Sequence, residues 1–148
     1  MRADEMCEEF PVIDLDSDAL AAARLLAEHP LPGLLVTDRS GNPQSILPAS
    51  EVVRFLVPGY VQDDASLAGV LTELAADKLV DKLAGKTVRS LLRNRAAELP
   101  RVKADDTIIE VAAIMARLRS PLVAVMEADT LIGVITASRL LELALKPH

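Results

Sequence analysis

The side chains that most suggest chemistry are Thr136, Arg139 and Glu51, each placed at or just inside the start of a candidate helix. Thr136 is well suited to cap a helix, its hydroxyl accepting a backbone N–H one turn on. Glu51 falls in a first turn, where a carboxylate complements the helix dipole by about 0.3–1 kcal/mol. Arg139 does the opposite: a cation in a first turn is unfavourable by the same argument. Something anionic should offset it, either a bound phosphate or a carboxylate such as Glu142 or an acid of a second copy. Arg117 and Arg119, before Pro121, are also within reach of a phosphate, although arginines at a helix end ordinarily serve the dipole.

Catalysis finds little support. His29 precedes Pro30 in a breaker segment, His148 is terminal, and Cys7 has no basic neighbour in sequence to lower its pKa. Two histidines and one cysteine, widely spaced, do not make a zinc site. The pair Asp105-Asp106 reads as helix capping. The formal charge is −6 with no two Lys or Arg adjacent, which argues against a nucleic-acid surface. No window approaches the roughly 18 uninterrupted apolar residues of a membrane helix, and acids at 4, 5, 8 and 9 argue against a leader peptide. One cysteine allows no internal disulfide, so a reducing, cytoplasmic setting is expected.

The elements that must position these residues occur twice. Phe10-Pro11-Val12-Ile13 with Asp16-Ser17-Asp18 is echoed by Leu99-Pro100-Arg101-Val102 with Asp105-Asp106-Thr107, 89 residues later. Further on the offset becomes 88, as in Leu35-Val36-Thr37 against Val123-Ala124-Val125. In the second copy the pattern predicts a strand over 99–102, a helix over 108–118 and strands over 122–126 and 131–136. A helix over 137–145 follows, with 140, 141 and 144 facing the core. The apolar run at 122–126 predicts a strand buried on both faces. The first copy predicts strands at 11–13, 34–37 and 44–47 and helices at 19–28 and 49–56. Between them a helix with stripe Leu67, Val70, Leu71, Leu74, Val80 and Leu83 stops near Gly85, before a short turn at 88–92. The fold class is α/β (α+β), with each copy reading strand–helix–strand–strand–helix. The divisions are 1–57, a helical insertion and lead-in over 58–95, and 96–148. Apolar residues are 51% of the chain and aromatics 2%, so Ala, Leu and Val must fill the core. Each copy should bury its apolar face against the other, leaving two related clefts at the seam.

This order of elements, used twice, with Val88-Arg89-Ser90-Leu91-Leu92 leading into the second copy, resembles the cystathionine-β-synthase (CBS) domain, and the tandem resembles a Bateman module. Gly133-Val134-Ile135-Thr136, Thr107 to Ala112, and Val36-Thr37-Asp38 with Gly41 carry the resemblance. It implies a regulatory module that binds AMP, ADP, ATP or S-adenosylmethionine in its clefts, forms a homodimer and modulates a separate enzyme or transporter. The family's ligand signature is Gly, two apolar residues, Thr or Ser, two residues, then Asp or Asn. In the family the hydroxyl and nearby backbone donors suit a phosphate, and the acid takes ribose hydroxyls. Here the second copy keeps Thr136 but has Arg139 for the acid, which cannot accept a hydrogen bond. The first has Pro48 for the hydroxyl, losing a backbone donor as well, but keeps an acceptor in Glu51. The resemblance further implies that Phe10, Val12, Leu34, Leu99, Arg101 and Leu122 flank an adenine ring; all but Arg101 also suit plain packing. The alternative is a ligand-independent dimerisation and protein-interaction module.

Overall fold

The computed structural model describes residues 1–29, 31–57, 80–92 and 99–146. A short helix α1 (Ala3–Met6) precedes β1 (Val12–Asp14), α2 (Ala19–Glu28), β2 (Gly33–Thr37), β3 (Pro43–Pro48) and α3 (Ala49–Leu56). A 3-10 turn (Val80–Lys82) and α4 (Val88–Leu91) lead to β4 (Arg101–Lys103), α5 (Ile108–Leu118), β5 (Leu122–Glu127), β6 (Thr130–Thr136) and α6 (Ala137–Ala144). Both repeats thus take the predicted order. The opening strands start one or two residues later than the pattern suggested, because Pro11 and Pro100 lack the N–H a ladder needs. Most of the expected insertion helix lies outside the described residues. Its described end differs from the expectation: 80–82 is 3-10, Val80 is exposed, and Leu83 alone of that pair is buried.

Each repeat forms a three-stranded sheet in chain order, the first pair parallel and the second antiparallel. The registers repeat as well, Val12 beside Leu35 and Arg101 beside Ala124. Burial of β2 and β5 on both faces explains their unbroken apolar runs. Leu34, Val36 and Leu47 pack with α2 and α3, while Val123, Val125 and Ile135 pack with α5 and α6. The alternate residues Leu35, Leu122, Ala124 and Val134 form a third cluster that joins the repeats, with Leu99, Phe10 and Ile46. The repeats therefore meet through one face of each sheet, and each keeps a private core on the other.

The leading helices cross over. Ala3 and Met6 of α1 are fully buried in the second repeat's core, and Val88 and Leu91 of α4 in the first's. The docking bonds correspond. Ala3 and Asp4 donate to the carbonyls of Asp106 and Ala104 at 2.8 and 2.9 Å. Val88 and Arg89 donate to those of Ser17 and Leu15, both at 2.9 Å. Asp16 fastens α4 further through Arg89 at 3.2 Å and also meets Arg39 at 3.4 Å. The Arg89 hydrogen bond and both guanidinium charges hold its carboxyl below the usual aspartate range.

In α6 the buried stripe differs from the expected 140/141/144. Leu140 is buried and Ala137 and Leu143 pack beside it, while Leu141, Ala144 and Leu145 face solvent.

Candidate functional site

Two clefts open where the repeats meet, each at the start of a terminal helix. In both, the helix's first N–H is held by a proline carbonyl that precedes the buried strand. Ala49 donates to Pro32 at 3.2 Å and Ala137 to Pro121 at 2.9 Å. The cleft beside α3 holds about 300 Å3 and is lined by Ser45, Ile46 and Pro48 of the first repeat and by Leu99, Pro100 and residues 118–121 of the second. The cleft beside α6 holds about 480 Å3, lined by Leu31, Pro32, Pro121, Thr136, Ala137 and Ser138.

Thr136 caps α6, its Oγ1 accepting the Arg139 N–H at 3.1 Å and lying 3.2 Å from Ser138 Oγ. Arg139 does find the anionic offset its position demands, and it is internal. Its Nε lies 3.1 Å from Glu8 Oε1 and its Nη1 donates to Glu142 Oε1 at 3.3 Å. The Nε–H is buried but out of line for a hydrogen bond, so the Glu8 contact is an ion pair. Glu8 is fixed by its backbone, which exchanges hydrogen bonds with Val134 at 2.9 and 3.0 Å along the free edge of β6. A Cβ on Gly133 would stand 3.0 Å from the Cys7 side chain and from the Glu8 carbonyl, so any larger residue here would press on this segment. Burial, with Asp4 nearby, raises the Cys7 thiol pKa.

Glu51, at the matching place in α3, is different. Its Oε2 is buried with no hydrogen-bond partner among the described residues. It lies one helical turn in from the Pro48 that lines the cleft and is not itself part of the lining, and Pro48 caps the helix without a side-chain bond. An unpartnered buried acceptor is costly unless something supplies a donor.

The residues expected to flank a ring are dispersed. Leu99 lines the cleft beside α3, and Phe10 packs against the shared cluster. Leu34 and Leu122 are fully enclosed and offer no surface to a ligand. Val12 is exposed at the start of β1. Arg101 lines neither seam cleft; it faces a third one beside the hairpin ends, together with Lys103. Arg119 does line the cleft beside α3, in the left-handed conformation with φ 50°. Sequence reading missed Glu8 and the lining role of Ser120. Ser120 falls in the breaker between α5 and β5, a recognisable signal, whereas nothing local ties Glu8 to Arg139.

Among the described residues no His/Cys/Asp/Glu group has the arrangement to hold a metal, and no helix is long and apolar enough to cross a membrane.

The CBS domain family matches twice, over residues 3–58 and 88–146. No curated protein matches. The crystal structure of a CBS domain-containing protein from Kribbella flavida is 63% identical, with a TM-score of 0.89 and 99% of each chain covered. The CBS domain of a membrane protein from Sphaerobacter thermophilus gives a TM-score of 0.72 at 17% identity, over 97% of this chain and 87% of that one. CBSX2 in complex with AMP gives 0.67 at 19%, over 97% and 96%. With two family matches laid over two repeats of the same element order and strand pairing, this chain belongs to the CBS-domain family as a tandem pair of such domains.

Proposed function

We propose that this CBS pair is a regulatory module, not a catalyst, which senses an adenosine-type ligand in the cleft beside α3 and modulates a separate enzyme or transporter. The observation that carries the reading is Glu51. Its buried, unpartnered Oε2 stands where the family's signature has an acid for ribose hydroxyls. The neighbouring cleft is walled by both repeats, so a ligand there would bias how they sit together. The AMP complex of CBSX2, a protein of the same fold, supports a ligand of this class. AMP, ADP, ATP and S-adenosylmethionine are the candidates, with a 2′,3′-dideoxyadenosine control. A ligand at about 100 times its Kd should stabilise the fold by roughly 2.7 kcal/mol, a readable rise in Tm. Glu51→Leu, which removes the acceptor, should abolish that rise, and the dideoxy control should give none. If none of the four moves the transition, the sensor reading fails.

We place the module in the cytoplasm as a homodimer. Val53 and Leu141 occupy the same place in the two repeats, 88 residues apart, and both are exposed. With Ile109 and Leu145, also exposed, they give α3, α5 and α6 outward apolar positions that suit a second copy. This observation also favours the second reading, an assembly module independent of ligand. Val53→Lys with Leu141→Lys should yield monomers by light scattering; an unchanged mass refutes this interface.

A further inference from the structure

A further cleft belongs to neither helix start. It holds about 680 Å3 and lies past the end of the shared cluster, between the first repeat's Asn42–Gln44 and the second repeat's β4 and hairpin turn. Val102 points into the second repeat's private core, so Arg101 and Lys103 project together from the opposite face of β4. That face is where Ala124 and Leu122 of the adjacent strand meet the first repeat. The strand thus places two exposed cations where its sheet otherwise presents apolar contact residues. Neither forms an ion pair with a described carboxylate, although the chain carries 22 acidic residues against 16 basic ones. The matching places in the first repeat are Val12 and Asp14, so the cation pair is particular to this cleft.

The rest of the lining is of another kind. Asp106 gives one carboxylate oxygen to the Lys103 N–H at 2.9 Å. Asp129 sits in the β5–β6 turn, and Asn42 and Gln44 bring amides from the other repeat. Two cations beside carboxylates and amides make a poor site for a bare polyanion but a good one for an anion that carries hydroxyls. A phosphate would take Arg101 and Lys103 through charge-assisted hydrogen bonds. Hydroxyls would donate to Asp129 and exchange hydrogen bonds with the amides. The volume lies in the range of small-molecule clefts.

We propose that this cleft binds a small phosphorylated polyol or sugar, its phosphate on Arg101 and Lys103 and its hydroxyls on Asp129 and Gln44. The site is independent of Glu51 and stands or falls separately from the adenosine reading. The test is amide chemical-shift titration of the full chain with glucose 6-phosphate, inorganic phosphate and glucose. Glucose 6-phosphate should give saturable shifts at Arg101 to Lys103, Gln44 and Asp129, weakened about tenfold or more in Arg101→Gln/Lys103→Gln, as loss of a charge-assisted bond implies. Inorganic phosphate should bind the same amides more weakly, and glucose weakest of all. Glu51→Leu should leave the titration unchanged. No saturable shift with glucose 6-phosphate, or shifts that survive the double substitution, would overturn the site. Equal affinity for inorganic phosphate would overturn the assignment of the hydroxyl contacts.

Discussion

Glu51 and Arg139 stand at equal places in the two repeats, carry opposite charge and keep opposite company. Arg139 is held by Glu8 and Glu142, beneath a segment that runs along the free edge of β6. Glu51 has a buried oxygen with no partner, beside a cap that offers no hydroxyl. Duplication supplied two helix starts of one design, and divergence at a few side chains gave one an internally paired cation and the other a buried acceptor without a partner. Pseudo-symmetry of the backbone is therefore a poor guide to equal chemistry.

The largest effect that sharpens this contrast should come from beneath both clefts. Leu122→Ala empties the cluster the repeats share, and a loss of about 2–5 kcal/mol is expected in urea unfolding, as for other buried leucines. Leu34→Ala should cost a similar amount but leave backbone shifts around Thr136 and Arg139 in place, because Leu34 belongs to the first repeat's private core. Equal disturbance of both clefts by Leu34→Ala would break the distinction between shared and private cores.

Next, Gly133→Ala drives a methyl against Cys7 and Glu8 and should cost about 1–3 kcal/mol, the usual range for overpacking. Its signature is faster alkylation of Cys7 as that segment lifts away. Unchanged thiol reactivity would show that the segment does not depend on the glycine. Thr136→Ala removes the cap of α6 and should cost about 1 kcal/mol. Pro48→Ala removes no cap bond and should cost less. Comparable losses would undo the asymmetry claimed for the two helix starts.

The smallest effect concerns acid. Asp16, lowered by Arg89 and Arg39, stabilises the fold fully above the ordinary aspartate range. That contribution is lost as the pH falls through the lowered value. Its counterpart Asp105 makes no ion pair among the described residues. Asp16→Asn should flatten the acid limb of the stability curve slightly. An acid limb unchanged by Asp16→Asn would mean that the Arg89 and Arg39 contacts do not fasten α4.

Much of the fold was legible because its determinants are local. The runs at β2 and β5, the caps before α2 and α5, and the turn at Gly41 with φ +87° each sit within a few residues of what they determine. Helix α1 was hidden because Asp4 and Glu5 separate the two residues it buries, Ala3 and Met6. The face of α6 was misassigned because Leu140, Leu141 and Leu143 are alike in sequence, and only the neighbours across the core choose among them. Of the site, a need for an anion at Arg139 could be read from one helix turn. Glu8 as its source could not, since the pair joins nearly opposite ends of the chain.

The exchange of leading helices has a consequence for how the molecule comes apart. A cut between the repeats yields two fragments, each missing a buried helix that the other carries. Neither fragment should fold alone, yet mixing them should restore the native spectrum, each reaching into its neighbour for the piece it lacks. Intact, the chain should melt in a single step, because loosening either half withdraws a wedge from the other.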